Sequence, residues 1–259
     1  MGGVIRAGCE VAGLIKGDGK LEGVVLKSGE RVEADLVVIA AGAWTPSLFA
    51  SKEIAARFPP VVATGQCVAT VQLTPEEVDE YAKVPVFFNL DDGFYVFPPN
   101  PTGLVKVAIH GSGYTHPDAS NGVSTPRTKL TPGAEDGMIP TEMVRDLRQG
   151  LAEIYPELAK KEFVSTRMCW YCDTVTGDWL IGYHPDYSNL MIATGGSGHA
   201  FKFAPVIGKE ILKIIQRKPS EYTDRWSFSG LGDAGADVRM GERKVLKLDE
   251  LATREDLKA

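Results

Sequence analysis

Residues 189–218 read NLMIATGGSGHAFKFAPVIGKEILKIIQRK. A short apolar run (189–194) reads as a buried strand, GGSGHAF as a glycine-rich turn, and 204–218 as a helix. In that helix Val206, Ile207, Ile211, Ile214 and Ile215 recur at helical spacing. Strand, glycine turn and helix in succession are the repeating unit of α/β folds. The turn aims backbone N–H groups and the positive end of the helix dipole at one place, which suits an anion. Gly195-Gly196-Ser197-Gly198 matches neither a Walker loop nor G-x-G-x-x-G, so a plain tight turn fits it equally well. Lys202, expected in the first turn of the helix between two phenylalanines, opposes the dipole there. It reads either as a solvated lysine or as a cation facing an anionic ligand.

A second α/β signature lies upstream. Residues 3–40 alternate apolar and polar positions, broken by turn residues at Gly17-Asp18-Gly19 and Ser28-Gly29, and read as successive strands. They end in LVVIAAGAW (36–44), whose run 36–40 predicts a strand buried on both faces. Ala41 and Gly42 follow, and small residues at the carboxyl end of such a strand let a ligand approach the backbone. Between these regions, VVATGQCVATVQL (61–73), VPVFFNL (84–90), GFYVFP (93–98) and GLVKVAIH (103–110) predict further strands. Residues 111–139 predict a long loop, and 140–154 a helix with Met143, Val144, Leu147, Leu151 and Ile154 on one stripe. From Pro219 onward polarity rises and periodicity fades, which predicts an extended or partly disordered tail. No internal repeat is visible.

In GLVKVAIH the strand period of two puts Lys106 and His110 on one side. This is either an ordinary half-exposed strand or, if covered, a lysine needing a partner. RMCWYCD (167–173) carries Cys169 and Cys172 in a C-x-x-C spacing. A zinc site is not expected, because Cys9 and Cys67 are isolated and the histidines lack ligand spacing. A thioredoxin-type dithiol wants its first cysteine at a helix N-terminus. Here the composition is that of a strand, where residues 169 and 172 face opposite ways. Two unpaired thiols, or one cysteine with its own role, remain.

The chain of 259 residues has 44% hydrophobic and 24% charged residues, an ordinary globular balance. Its net charge of −6 gives no basic face for nucleic acid. No apolar run approaches the roughly 18 residues of a membrane span. Four cysteines do not make a disulfide scaffold and suggest a reducing compartment. No targeting signal is visible, and the expectation is an intracellular protein, cytoplasmic or peroxisomal.

The stretch RMCWYCDTVTGDWLIGYHPDYSNLMIATGGSGHAFKFAPVIG (167–208) closely resembles the C-terminal region of the FAD-dependent amine oxidases of the monomeric sarcosine oxidase family. That family includes fructosyl amino acid oxidases (amadoriases) and saccharopine and pipecolate oxidases. The shared features are a cysteine before an aromatic pair, then Asp-Thr, the His-Pro…Ser-Asn-Leu run, and Gly-x-Ser-Gly-His-x-Phe-Lys-Phe. GLVKVAIH and ADLVVIAAGAWTPSL resemble two further family strands.

The resemblance implies an α/β (mixed α+β) fold: part of a glutathione-reductase-like FAD-binding domain with an inserted, mostly antiparallel substrate sheet. The implied segments are 1–60 and 163–218 for the FAD-binding part, 61–162 for the substrate sheet, and 219–259 for the polar tail. It also implies FAD held covalently through Cys169, with Val11, Ala41, Gly42, Trp44, Gly196, Gly198, His199 and Phe201 beside the cofactor. By the same resemblance Lys106 activates oxygen, Lys202 binds the substrate carboxylate and His110 lies beside the substrate. The implied partners are an amino acid amine and O2, with no nucleic acid, membrane or metal. The implied reaction oxidises a secondary amine to an imine and yields hydrogen peroxide.

Fructosyl-specific members commonly carry an acidic residue where this chain has His110. This tilts the expectation toward N-methyl amino acids, pipecolate or saccharopine. The family's N-terminal G-x-G-x-x-G unit has no counterpart, so the chain is expected to lack the N-terminal portion of a typical member. A non-catalytic remnant unable to hold FAD is the alternative.

Overall fold

The computed structural model describes residues 2–50, 59–231 and 242–258. In chain order the strands and helices are β1 Val11–Lys16, β2 Leu21–Leu26, β3 Arg31–Glu33, β4 Val37–Ile39, α1 Thr45–Ala50, β5 Val61–Gln72, α2 Pro75–Tyr81, β6 Phe87–Phe88, β7 Phe94–Val96, β8 Leu104–Ile109, β9 Tyr114–Thr115, α3 Thr141–Ile154, α4 Pro156–Ala159, β10 Phe163–Thr174, β11 Leu180–Tyr183, β12 Leu190–Thr194, α5 Ala204–Ile215 and β13 Lys244–Val245. The chain is mixed α/β. It divides into two compact units: Met1–Ala63, Asp118–Thr125 and Tyr171–Val238 in the first, and Thr64–Pro117, Pro126–Trp170 and Arg239–Ala259 in the second. Residues 51–58 and 232–241, which fall within the expected FAD-binding and tail segments, lie outside the described residues.

The first unit holds two three-stranded sheets. β1, β2 and β3 form an antiparallel meander, its turns made by Gly19 and Gly29 at positive φ, where a side chain would clash with the backbone. The other sheet has the order β11-β12-β4, with β11 and β12 antiparallel and β12 and β4 parallel. Asn189 joins these parts: its amide donates to the Leu21 and Asp35 carbonyls and its oxygen accepts from Leu21 N–H.

One face of the second sheet buries Val37, Ile39, Leu180, Leu190 and Ile192 in an apolar cluster with Leu14, Phe49 and Cys172. The other face is covered by α5 through Ile207, Ile211, Ile214 and Ile215 against Ile181, Met191 and Trp226. Val206, expected on that stripe, is instead 57% exposed. The expectation that the 36–40 run is buried on both faces also fails at Val38, which is 39% exposed. Among the described residues β4 is an edge strand, and α5 cover reaches Leu36.

α5 stops three residues before the expected end. Arg217 adopts φ +53, while the N–H groups of Arg217 and Lys218 return to the Ile214 and Lys213 carbonyls. This is the left-handed closure that satisfies a helix's last acceptors.

In the second unit the strand order is β13-β9-β5-β8-β7-β6, with β10 also paired to β5. One sheet face carries Cys67, Ala69, Val71, Phe94, Val96, Val105 and Val107 against Met143, Val144, Leu147 and Leu151 of α3. Gly150 lets α3 approach closely, since a Cβ there would stand 2.5 Å from the Phe94 ring. α2 begins in a capping box, Thr74 accepting from Glu77 N–H and Glu77 accepting from Thr74 N–H, which satisfies two orphan donors.

The C-terminal segment corrects the expected tail. Described residues 242–258 pack on this core: β13 pairs in parallel with β9, and Leu246, Ala252 and Leu257 are buried. Glu142 of α3 accepts from the Tyr114 hydroxyl and pairs with Lys244 at 2.8 Å. The Lys244 ammonium, seconded by that hydroxyl, holds the Glu142 carboxyl below its usual range. Residues 219–231 also form turns around buried Trp226 and Leu231. The anchors are single apolar residues among polar ones, a pattern without a period. Among the described residues no helix is long and apolar enough to cross a membrane.

Candidate functional site

The first unit concentrates its candidates at the carboxyl ends of β4 and β12. The parallel pairing of Val37, Val38 and Ile39 with Leu190, Met191 and Ile192 brings Ala41-Gly42 and Gly195-Gly196 to the same end of the sheet. That end is where open α/β sheets bind ligands. Thr194 ties the two strand ends together: its hydroxyl lies 3.4 Å from the Gly42 carbonyl, 3.3 Å from the Thr45 hydroxyl and 3.2 Å from the Cys172 sulfur. Gly42 has φ +53 with nothing within 4 Å of where a Cβ would stand, so the backbone there is open to approach.

The glycine turn is rigidly specified. Ser197, at φ +45, donates from its backbone to the Cys172 carbonyl, and its hydroxyl accepts from Thr174 N–H. His199 donates from Nε2 to the Gly177 carbonyl at 2.8 Å and leans on Trp179. Gly198 has φ +77, and a Cβ there would stand 2.5 Å from the Tyr171 ring. Gly198→Ala is therefore expected to cost about 1–2 kcal/mol for the left-handed backbone alone, and to displace Tyr171. Thermal melts with near-ultraviolet circular dichroism would register both effects, and an unchanged melt would refute them.

Lys202 departs from its expected place. It lies in the short 3-10 turn Ala200–Phe203 that precedes α5, exposed, with Nζ 5.4 Å from the Phe203 ring centre. The α5 start has Phe203 as its N-cap and no side-chain cap. Its first N–H groups thus receive no side-chain acceptor, and a cation precedes them. Phe201 is 92% exposed, Trp44 is exposed on the turn after β4, and Val11 opens β1 in the meander sheet.

The second unit presents a sheet face opposite its core. Strand register assigns it. Thr70 faces Lys106 and Val68 faces Ala108 across β5 and β8, while Ala108 faces Tyr95 across β7. Directly opposite residues share a face. His110 follows two residues on, its ring 6.5 Å from that of Phe88. On β10, Met168 and Trp170 pack on the core, so alternation turns Arg167 and Cys169 to the other side. Thr70 and Ser165 join hydroxyls at 2.7 Å on that side. Lys106, His110 and Cys169 therefore belong to one face of one sheet.

The lysine is held by rings. Its Nζ lies 5.1 Å from the Tyr95 ring centre and 5.2 Å from that of Phe97, two cation–π contacts. Phe88 stacks on Tyr95 at 5.9 Å, and Phe97 meets Tyr95 edge-on at 5.6 Å. Gln66, 4% exposed, accepts from Gly111 N–H and braces the turn that follows His110. Gly113 leaves room for that amide, since a Cβ there would stand 2.2 Å from Gln66 Nε2.

Sequence reasoning missed Phe88, Tyr95, Phe97 and Gln66. The signal available was the spacing of aromatics in FFNLDDGFYVFP, which gains meaning only once the register is known.

The cysteines have separate environments. All four cysteines are free thiols, Cys169 half-buried and Cys172 buried. Cys172 sits in the apolar cluster of the first unit, where burial pushes its thiol up, the opposite of what a reactive dithiol needs. No group of three or more potential metal ligands occurs among the described residues.

The family model described as "FAD dependent oxidoreductase" (DAO) matches residues 1–214. This chain belongs to that family. The amino acid oxidase imqH of Aspergillus flavus is 34% identical over 255 residues, covering 83% of this chain and 52% of the relative. The L-saccharopine oxidase of Schizosaccharomyces pombe is 33% identical over 213 residues, covering 79% and 47%. The crystal structure of a fructosyl peptide oxidase from E. terrenum superposes with a TM-score of 0.81 at 32% identity, covering 95% of this chain and 56% of that one. The chain thus spans about half the length of the curated relatives it matches.

Proposed function

We propose that this FAD dependent oxidoreductase chain carries the oxygen-side and substrate-side half of an amine oxidase, which oxidises the C–N bond of a secondary amino acid to an imine and passes the electrons to O2. The observation that carries the reading is the shared sheet face of Lys106, His110 and Cys169, with the lysine braced between Tyr95 and Phe97.

The residues present fit the ring end of FAD. Cys169 is a half-buried free thiol on an open sheet face. Gly42 offers open backbone, and the start of α5 has no side-chain cap. The sequence has one G-x-G-x-x-G, Gly230-Leu231-Gly232-Asp233-Ala234-Gly235, but it does not directly follow a strand, the context that a dinucleotide loop for the pyrophosphate requires. When bound, the flavin supplies the two-electron oxidation.

The chain's own groups supply the rest. Cys169 Sγ is the side chain that would hold the ring. In the first unit, Lys202 before α5 attracts negative charge. His110 is the side chain of this face that would meet the substrate. Lys106 places a cation where charge builds on oxygen as it is reduced.

The test is to purify the chain, denature it in acid and look for bound yellow colour. A mass increase of one FAD on the peptide containing Cys169 is the expected result. Colour that leaves with the acid, or an adduct on another residue, would refute the anchoring role.

A second reading has its own observation. β4 is unpaired on its outer edge among the described residues, and Val38 is 39% exposed there. An open parallel edge with exposed apolar side chains is an unusual resting state. It favours a chain that does not hold FAD by itself, and the same experiment then gives a colourless protein.

A further inference from the structure

The β6–β7 end of this sheet face in the second unit carries more exposed ring surface than the proposed chemistry requires, while Val68 and Ala108 at its centre are buried. Phe88 is 44% and Phe97 41% exposed, yet both are ordered against Tyr95 in stacked and edge-on contacts. Ordered, half-exposed aromatic surface beside a cation is what a ligand with an apolar, ring-bearing part covers. Much of the polar content of this face is already engaged, although His110, Arg167 and the Gln66 Nε2 donor also belong to it. Lys106 is committed to the Tyr95 and Phe97 rings, and the Gln66 amide oxygen to Gly111. The Thr70 and Ser165 hydroxyls are committed to each other. None of the positions assigned to this face on β5, β6, β7, β8 and β10 is an acidic residue. A polyhydroxylated substituent needs a partner for each hydroxyl it buries, because an unpaired one loses its hydrogen bonds to water. On the β6–β7 side of this face the exposed surface is ring surface, that of Phe88 and Phe97.

We infer that Phe88 and Phe97 are specificity-determining residues, and that they select a secondary amino acid with an aromatic or other bulky apolar side chain over a glycated one. The inference rests on the amine-oxidase reading and narrows it. Phe88 and Phe97 contact the substrate side chain, and Tyr95 is the strut that fixes both.

The test titrates the full 259-residue chain by calorimetry with N-methyl-L-phenylalanine, N-methylglycine and fructosylglycine. Wild type, F88L, F97L, F88A and F97A are compared, with folding checked by circular dichroism. The leucine variants keep apolar volume and remove the ring, so they remain informative if an alanine variant unfolds. Wild type is expected to bind the phenylalanine derivative at least about tenfold more tightly than N-methylglycine, the scale on which an apolar pocket discriminates. Each leucine variant should lose most of that preference, the ratio of the two affinities falling about tenfold toward one. Equal binding of the two N-methyl amino acids, tighter binding of fructosylglycine, no binding of any probe, or an unaltered preference in F88L and F97L would each overturn it.

A parallel anaerobic titration with added FAD separates the two levels. Flavin bleaching by N-methylglycine without an aromatic preference removes this inference and leaves the oxidase. An aromatic preference in binding without bleaching by any amine does the reverse.

Discussion

Arg148→Ala is expected to lower stability by about 3–4 kcal/mol, summing charge-assisted hydrogen bonds of about 1.5–3 kcal/mol each with a discount for partial exposure. The side chain leaves α3 and donates to four carbonyls: Ala159 and Lys161 through Nη1 at 2.7 and 2.9 Å, and Leu257 and Lys258 through Nη2 at 2.9 and 3.2 Å. Its guanidinium also stacks 4.4 Å over the Phe163 ring. These acceptors come from the end of α4, the approach to β10 and the C-terminal segment, so one planar fork fastens three pieces of the second unit. Only a guanidinium has the donors and geometry for this, and the Arg148→Lys variant should recover only a fraction of the effect.

Partial burial lowers the Arg148 pKa, but an arginine stays charged across the working pH range. The loss should therefore be insensitive to pH between about 5 and 9. For a chain of this size it amounts to a drop in melting temperature of about 6–16 °C. Hydrogen exchange should show the amides of 252–258 opening first, since Phe163 N–H bonds to the Leu257 carbonyl beside the fork. A shift below about 2 °C, or uniform loss of protection, would rule out the clasp.

That clasp illustrates where the sequence was legible and where it was not. Elements with a strong period were readable: the α3 stripe of Met143, Val144, Leu147 and Leu151 appears as expected, and β8 alternates from Leu104 to Val107 before buried Ala108 breaks the pattern. Both are local, because burial of one face imposes its period on one continuous segment. The C-terminal segment was not readable. Leu246, Ala252 and Leu257 pack singly, and their partners lie about a hundred residues away, where no local pattern reaches. Val38 and Val206 failed for the opposite reason. They look like core by composition, but their exposure depends on which elements lie alongside them.

The candidate site divides in the same way. Lys106 and His110 share a face by strand arithmetic alone. The cradle of Tyr95, Phe97 and Phe88 needed the register of three strands. The separation of Cys169 from Cys172 was available from alternation. The apolar setting that makes Cys172 inert was not, because Thr194 and the cluster around it come from other strands.

Lys106→Met is expected to reduce oxygen consumption with an oxidisable amine by about 10²–10³, the scale of removing one pre-positioned charge or donor from a reacting centre. Methionine keeps most of the volume and removes the charge. The environment supports a large effect: the ammonium is half-buried between two aromatic rings, where screening is weaker than in bulk water. A lysine with a purely structural role would behave differently. Losing its two cation–π contacts would cost about 1–2 kcal/mol of stability and would slow the amine and oxygen half-reactions alike. The proposed role slows the oxygen half-reaction selectively. Stopped-flow measurement of the two halves in K106M and K106R makes the distinction. Anaerobic reduction by amine should change by less than about tenfold in both variants, a step in which this cation faces no developing charge. The arginine variant keeps the charge but spreads it over a planar group, and should restore part of the oxygen rate. Equal slowing of both halves, or full oxygen reactivity in K106M, would return Lys106 to the role of a ring-stacked structural lysine.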